Sequence, residues 1–157
     1  MSYTDSDSET QTSKTDILIR KAVIEDLDQI KKLADAETET LGFVPRGAIR
    51  DGVEGGFVLV AVIKNKIIGF QQYYHRKKDL QTTLYRKTVA KEWRSKGIGT
   101  MLVQAVIEEA RGLGKKRLLL KCPVDNSSNQ FHQKFGFLLI GTEPGKKRKL
   151  NIYEYRI

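Results

Sequence analysis

Apolar residues recur at helical spacing over residues 98–110, and this is the strongest periodic signal in the chain. Ile98, Leu102 and Val106 fall on one face of that helix, and neighbouring apolar positions widen the face, while Gln104 stays on the polar side. A helix that is apolar over so much of its circumference packs against a sheet. The pattern therefore predicts a buried helix beside a β-sheet.

Weaker signals predict three further helices. Helical spacing of apolar residues indicates a first helix over residues 24–38. Pro45 opens a short second helix that Gly55-Gly56 closes, because proline suits a first helical turn and glycine suits a helix end. A last short helix is predicted over residues 126–134. The candidates for its N-terminal cap are Asp125, Asn126 and Ser127.

Runs rich in β-branched and aromatic residues predict the strands. They cover residues 17–20, 57–63, 66–74, 82–89, 117–121, 137–141 and 151–157. Asn65 lies between two of these runs and indicates a hairpin. Strand 82–89, the long helix and strand 117–121 form a right-handed crossover, so these two strands should be parallel. The sequence therefore predicts an α/β fold with one mixed, mostly antiparallel central sheet flanked by helices and containing one parallel β-α-β crossover.

A glycine-rich turn joins strand 82–89 to the long helix. The first backbone N–H groups of a helix have no partner inside it, and the helix dipole adds partial positive charge there. Gly97 and Gly99 let the backbone approach a bulky phosphate closely, and Arg94 and Lys96 add positive charge at its edge. The turn therefore predicts a pyrophosphate site.

Length and composition fit one domain with a sizeable core. Residues 1–15 are acidic, rich in Ser and Thr and without hydrophobic period, so we expect a disordered tail there and a domain over residues 16–157. The tail lacks the basic and apolar parts of a signal peptide, and no apolar run reaches membrane-spanning length. We therefore expect no membrane partner.

The formal net charge is +9, and much of it lies in three basic clusters. Each falls at a predicted turn or element boundary, and aromatic residues are not interleaved with it. This placement favours solvated turns over a nucleic-acid face, which stays open as an alternative. The clusters are Arg76-Lys77-Lys78, Lys115-Lys116-Arg117 and Lys146-Lys147-Arg148-Lys149.

Cys122 is the single cysteine, which rules out an internal disulfide and suits a reducing, cytoplasmic compartment. We expect it to pack at a strand end before Pro123 rather than to act as a nucleophile. The two histidines have no Cys or carboxylate cluster at metal-ligand spacing, so no metal site is predicted.

Two motifs together resemble the GNAT superfamily of N-acetyltransferases. The first is the Arg-x-x-Gly-x-Gly pattern of Arg94–Gly99, between a strand and a long helix, which is similar to the acetyl-coenzyme A loop of that family. The second is the segment 126–137, which resembles the family's N-x-x-A-x-x-F-Y-x-x-x-G-F segment. The resemblance covers residues 82–137 and implies an acetyl-coenzyme A-dependent acetyl transfer to an amine.

The resemblance also implies where the cofactor binds. In the family the two parallel strands splay apart at their C-terminal ends, and the pantetheine arm enters that gap as if it were an added strand. The cofactor-binding residues implied are Val89, Ala90, Lys91, Arg94, Ser95, Lys96, Gly97, Ile98, Gly99, Thr100 and Asn126. Asn126 could also serve only as a helix cap, and the two roles are compatible.

The chain departs from the family at the residue expected to protonate the leaving thiolate. Many family members have a Tyr there, and this chain has His132. Histidine donates through one ring nitrogen when neutral and through both when protonated, so His132 is the candidate general acid; lining the pocket is the alternative. The general base is not assigned: Glu92, Glu37, Glu39 and water relays all stay open.

We predict an N-acetyltransferase that acts on a primary amine of a small molecule or of a peptide or protein. Two alternatives stay open: a coenzyme A-binding module without transfer activity, motivated by His132 and by the absence of a carboxylate on strand 82–89, and a nucleic-acid-associated protein. Loss of affinity with added salt would mark the last. The acceptor is not specified by any local motif, and either a monomer or a homodimer is compatible with the sequence.

Overall fold

Seven strands of the computed structural model, which describes residues 16–157, form one sheet. The predicted tail, residues 1–15, lies outside the described residues. The strands are β1 (Leu18–Lys21), β2 (Val58–Ile63), β3 (Lys66–His75), β4 (Gln81–Val89), β5 (Arg117–Pro123), β6 (Leu138–Glu143) and β7 (Leu150–Arg156). Their order across the sheet is β1-β2-β3-β4-β5-β7-β6. All neighbours are antiparallel except β4 and β5, which are parallel, so the predicted fold class is confirmed.

Helices cover both faces of the sheet. They are α1 (Leu27–Asp35), α2 (Thr38–Leu41), α3 (Arg46–Gly55), α4 (Ile98–Gly112) and α5 (Asn129–Phe135). Alternate residues of β2 enter two separate cores, because successive side chains of a strand point to opposite faces. One core holds the apolar side of α4 and contacts α5, and the other holds α1 and α3. Within residues 16–157, no helix combines the length and apolar character needed to cross a bilayer.

The parallel pair of strands stays together for only a few residues. Gln81, Thr82 and Thr83 of β4 pair with Arg117, Leu118 and Leu119 of β5. Beyond that register β4 continues to Val89 beside β3, and β5 continues to Pro123 beside β7. The two strands therefore separate toward their C-terminal ends, as the resemblance implies.

The predicted first helix, residues 24–38, is wrong in its length. The chain makes a 3-10 turn at Ile24–Asp26, α1 ends at Asp35, and α2 begins separately at Thr38. Glu37 breaks the helix with φ −123° and ψ 37°. Its carboxylate lies 2.6 Å from the Arg94 guanidinium, a distant contact that local sequence signals do not reveal.

The last helix also differs from its prediction. It begins at Asn129 rather than Asn126, and Ser128 occupies the N-cap position, so none of the three predicted caps is correct. The Asn126 side chain accepts a hydrogen bond from the Ser128 N–H at 2.9 Å, which forms a turn ahead of the helix. The second helix and the hairpin agree better with prediction. Gly56 ends α3 with φ +80°, and Lys64 and Asn65 both have positive φ between β2 and β3.

A polar cluster fixes α4 against the sheet. The Glu109 carboxylate of α4 lies 2.6 Å from Lys21 Nζ of β1 and accepts a 2.8 Å hydrogen bond from the Tyr73 hydroxyl of β3. His75 Nε2 lies 2.6 Å from the same carboxylate. Because three groups share one carboxylate, this cluster holds the helix whose other end forms the glycine-rich turn.

Candidate active site

A cavity of about 100 Å³ lies in the gap between the separated ends of β4 and β5. Thr40 and Leu41 of α2 line it from one face of the sheet. Val103 of α4 and His132 of α5 line it from the other face. The gap is therefore lined by elements from both faces of the sheet.

Two residues of β4 direct their backbone groups into this gap. The Ala90 N–H donates to the Ile68 carbonyl at 2.7 Å, so that pair is bonded between β4 and β3. Hydrogen-bonded and non-hydrogen-bonded pairs alternate along an antiparallel ladder. The pairs Val89–Gly69 and Lys87–Gln71 are therefore non-hydrogen-bonded, and their N–H and C=O groups point away from each other. The Val89 and Lys87 backbone groups face β5, whereas the predicted contact at Ala90 has its N–H engaged.

The glycine-rich turn has the conformation that a helix-start anion site requires. Ser95 and Gly97 both adopt left-handed backbone conformations, with φ of 61° and 84°. Gly97 is the N-cap of α4 and provides no side-chain oxygen to the first turn. The first N–H groups of a helix have no partner within it, so those of Ile98, Gly99 and Thr100 are available to an anion.

Arg94 is engaged within the protein. Its guanidinium lies 2.6 Å from the Glu37 carboxylate and donates to the Val89 carbonyl oxygen at 3.1 Å. It therefore joins the α1–α2 turn to the end of β4. Lys96 is exposed on the same turn and adds positive charge beside the helix start.

The predicted catalytic and cofactor-binding residues divide between the gap and its surroundings. Asn126 and His132 line the gap cavity. Val89, Ala90, Lys91 and Arg94 line a second cavity of about 550 Å³ between α1 and the end of β4. Ser95, Lys96 and Gly97 are exposed at the turn, and the Ile98 side chain is buried in the core.

Asn126 joins two elements across the gap. Its Nδ2 donates to the Thr40 carbonyl at 3.1 Å, and its Oδ1 accepts from both the N–H and the hydroxyl of Ser128 at 2.9 Å. The amide therefore connects α2 with the turn that leads into α5.

His132 occupies the family's tyrosine position as a half-buried ring. Its Nδ1 has no hydrogen-bond partner among residues 16–157. Burial, aided by repulsion from Lys87, lowers its pKa to about 4. The ring lies 5.5 Å from the Tyr153 ring and 6.0 Å from the Phe137 ring, measured between centroids. At neutral pH it is therefore the neutral imidazole.

Lys87 is a site residue that sequence reasoning missed. Its Nζ is buried, lacks a hydrogen-bond partner among the described residues, and lies 3.1 Å from the centroid of the Phe131 ring. Burial lowers its pKa to about 7. A lysine in a strand usually indicates an exposed position, and only the separation of β4 from β5 encloses this one.

Within the described part of the chain, no carboxylate lines the gap cavity. Glu37 is paired with Arg94, and Glu39 and Glu92 are exposed. Cys122 lines the cavity at the end of β5, where burial raises the pKa of its thiol. Residues 16–157 contain no cluster of His, Cys, Asp or Glu that could hold a metal.

The sequence model of the Acetyltransferase (GNAT) family matches residues 24–137, most of the chain. The chain belongs to this family. The match includes the glycine-rich turn and the segment around His132, and it confirms the resemblance inferred from those motifs.

Individual relatives agree with this GNAT assignment. N-alpha-acetyltransferase 30 of Schizosaccharomyces pombe is 31% identical over 85 residues, which span 52% of this chain and 57% of that protein. Ard1 of Thermoplasma volcanium superposes with a TM-score of 0.81 at 16% identity over 90% of this chain and 98% of that one. PaiA N-acetyltransferase of Thermoplasma acidophilum, in complex with coenzyme A, gives a TM-score of 0.74 at 21% identity, over 90% and 99% of the two chains. The two structures share the GNAT fold with this chain.

Proposed function

We propose that this protein transfers the acetyl group of acetyl-coenzyme A to the N-terminal α-amine of a peptide or protein. The observation that carries the proposal is the gap between β4 and β5, which is lined by residues from both faces of the sheet and has no carboxylate among its described lining residues. The relative N-alpha-acetyltransferase 30 supports the same class of acceptor by its name.

The residues present fit coenzyme A. The N–H groups of Ile98, Gly99 and Thr100 would hold its pyrophosphate, with Lys96 adding charge at the edge. The Val89 N–H and the backbone groups of Lys87 would pair with the pantetheine amides like an added strand, while the Val89 carbonyl oxygen accepts from Arg94. Two buried polar atoms in or beside the gap, Lys87 Nζ and His132 Nδ1, lack partners among residues 16–157 and support a polar ligand there. When bound, acetyl-coenzyme A supplies the activated acetyl group as a thioester.

The lining of the gap favours an acceptor that loses its proton easily. An α-amine has a pKa of about 7.7–8.0, whereas a lysine side chain has about 10.4. At pH 7.5 about a third of α-amines are neutral, compared with about one lysine side chain in a thousand. Without a carboxylate base in the gap, the α-amine is the better nucleophile. An acidic slot for a polyamine is likewise absent from the described lining.

The protein's own groups would manage the charge that develops during transfer. A backbone N–H of β4 that faces the gap can stabilise the carbonyl oxygen as it becomes negative. His132 is proposed to protonate the departing thiolate. Because its pKa is about 4, only a small fraction of the enzyme carries that proton at neutral pH. The role therefore has a specific pH signature.

An acceptor panel tests this function. Coenzyme A release would be measured with a peptide that has a free α-amine, with the same peptide N-acetylated but containing a lysine, and with a polyamine. We expect release with the first peptide at a kcat/KM at least about tenfold above the other two, which follows from the neutral fractions above. Binding of coenzyme A without release from any acceptor would instead indicate a binding module.

Two further features belong to this proposal. A cytoplasmic location is supported by the single, buried Cys122 thiol, which suits a reducing compartment. Either a monomer or a homodimer is compatible with the proposed reaction.

A further inference from the structure

The Lys87 side chain is enclosed in the gap between β4 and β5, where acetyl-coenzyme A is proposed to bind. Its side chain lines the gap cavity together with His132. Its Nζ lies over the Phe131 ring. The same Nζ is close to Gly99, since a Cβ atom at that glycine would lie 3.4 Å from Nζ. The amine is therefore packed between β4, α5 and the first turn of α4.

Nothing in the described residues neutralises this amine. The other titratable side chains that line the cavity are Tyr85, Lys121, Cys122 and His132. None of them carries negative charge at neutral pH in its ordinary protonation state. The start of α4 also carries partial positive charge, which opposes a second cation beside it.

A buried amine without an anionic partner gives up its proton readily. The pKa of Lys87 is lowered to about 7, so close to half of the molecules carry a neutral Lys87 amine at pH 7. A neutral amine has the lone pair that attacks a thioester, and an ammonium does not. Exposed lysines, with a pKa of about 10.4, are almost entirely protonated at the same pH.

We propose that Lys87 is a self-acetylation site, at which the protein acetylates its own side chain from bound acetyl-coenzyme A. The Lys87 Nζ lone pair forms a bond to the thioester carbonyl carbon, and the carbon–sulfur bond breaks. Coenzyme A leaves as the thiolate and takes up the proton released from Nζ, so the products are Nε-acetyl-Lys87 and coenzyme A. This inference rests on one part of the proposed function, the binding of acetyl-coenzyme A in the gap.

Acetylation would change the site in a defined way. It replaces a buried cation with a neutral amide, which removes the cost of burying an unpaired charge. The added acetyl group would also occupy part of a cavity of about 100 Å³. We therefore expect the acetylated protein to turn over a peptide acceptor more slowly than the unmodified protein.

The test uses the full chain with acetyl-coenzyme A and no acceptor. Intact mass and peptide mapping would follow each lysine over time at pH 7.5. We expect one acetyl group to appear on Lys87 at least about tenfold faster than on Lys147, an exposed lysine of the β6–β7 turn, because burial without an anionic partner favours the neutral, nucleophilic form of the Lys87 amine. Excess coenzyme A should slow the reaction at Lys87 and not at Lys147.

Two variants and an unfolded control complete the experiment. Lys87→Arg should remove the fast acetylation, while Lys147→Arg should leave it unchanged. The chain unfolded in urea should acetylate Lys87 and Lys147 at the same slow rate. A thermal shift with coenzyme A would establish that each variant is folded and binds.

The outcomes separate this inference from the proposed function. If the protein binds coenzyme A but acetylation is spread over exposed lysines and Lys87 stays unmodified, the self-acetylation alone is overturned. Fast acetylation of Lys87 without turnover of any peptide supports it and contradicts the proposed acceptor. Absence of both coenzyme A binding and Lys87 acetylation overturns both.

Discussion

The Asn126 side chain donates a hydrogen bond to the Thr40 carbonyl oxygen at 3.1 Å, although 86 positions separate the two residues. Thr40 belongs to α2 on one face of the sheet, and Asn126 follows β5 on the other side of the gap. Both residues line the gap cavity. The bond therefore sets how far α2 stands from the end of β5 at the gap.

Asn126→Ala should weaken the acceptor site more than the cofactor site. The substitution removes the bond to Thr40 and the two bonds from Ser128, which frees α2 to move. We expect the KM for a peptide acceptor to rise by about tenfold, the effect of losing roughly one hydrogen bond of about 1 kcal/mol or slightly more. Calorimetry should find the Kd for coenzyme A changed by less. A large rise in that Kd with an unchanged KM would indicate that Asn126 contacts the cofactor instead.

Gly99→Asp should abolish coenzyme A binding while leaving the domain folded. A Cβ atom at this position would lie 3.2 Å from the Phe131 ring and 3.4 Å from Lys87 Nζ, and the charge of the aspartate would repel a pyrophosphate at the helix start. Gly47→Asp is the matched control. Gly47 is also the second residue of a helix, and a Cβ there meets nothing within 4 Å. Calorimetric binding at wild-type affinity in Gly99→Asp would show that the turn is not a pyrophosphate site.

Asp26→Asn should destabilise the protein in a pH-dependent manner. Arg20 donates to the Asp26 carboxylate at 2.7 and 3.1 Å, and the Val23 N–H donates at 2.8 Å. These bonds, chiefly that from Arg20, lower the pKa of Asp26 despite its burial. Because the folded-state pKa is depressed, the stabilisation is present above the unfolded pKa of about 3.9 and is lost as the pH falls through the folded value.

Urea unfolding would measure this effect. At pH 7 we expect Asp26→Asn to lower the free energy of unfolding by about 2 kcal/mol, as for hydrogen bonds to a charged group. The difference from the wild type should shrink below pH 4. Glu25→Gln, at the exposed neighbouring position of the same turn, is the control and should change stability by less than about 0.5 kcal/mol. A difference of the same size at pH 3 and pH 7 would contradict the linkage to Asp26.

The parts of the fold around this site that were predicted correctly depend on local chemistry. Gly97 adopts positive φ at a helix start, and the order strand, turn and helix is readable from periodicity alone. Such features are encoded within a few residues of each other. The parallel pairing of β4 with β5 follows from the same reading, because the order strand, helix and strand predicts a crossover between parallel strands.

The parts that were missed depend on contacts between distant residues. Glu37 breaks the first helix and binds Arg94, a residue that the sequence suggests only as an anion ligand. Lys87 appears in the sequence as one of two basic residues on a strand, and its burial follows only from the separation of β4 from β5. Neither contact leaves a periodic or spacing signal. The burial of polar side chains is therefore the property of this site that the sequence reveals least and the three-dimensional structure reveals most.

His132→Phe should lower turnover by an amount that depends on pH. Burial places the pKa of His132 at about 4, and only the imidazolium can give a proton to the thiolate readily. The ratio of wild-type to variant kcat should therefore be largest near pH 5 and should decrease as the pH rises toward 8. General-acid catalysis is worth about 10²–10⁴-fold, which sets the upper limit of the ratio. The Kd for coenzyme A should stay nearly unchanged, since the ring is enclosed among Phe131, Phe137 and Tyr153.

Steady-state coenzyme A release between pH 5 and pH 8 would measure this ratio, with single-turnover measurements to exclude limitation by product release. His132→Tyr is the informative companion variant. A tyrosine supplies an O–H donor near the same position and does not titrate in this range, so it should restore part of the rate with a flatter pH profile. A ratio of wild-type to His132→Phe kcat that is below about tenfold and does not change with pH would show that the His132 ring only packs in the site. A side chain that only fills space makes no contribution that depends on its protonation.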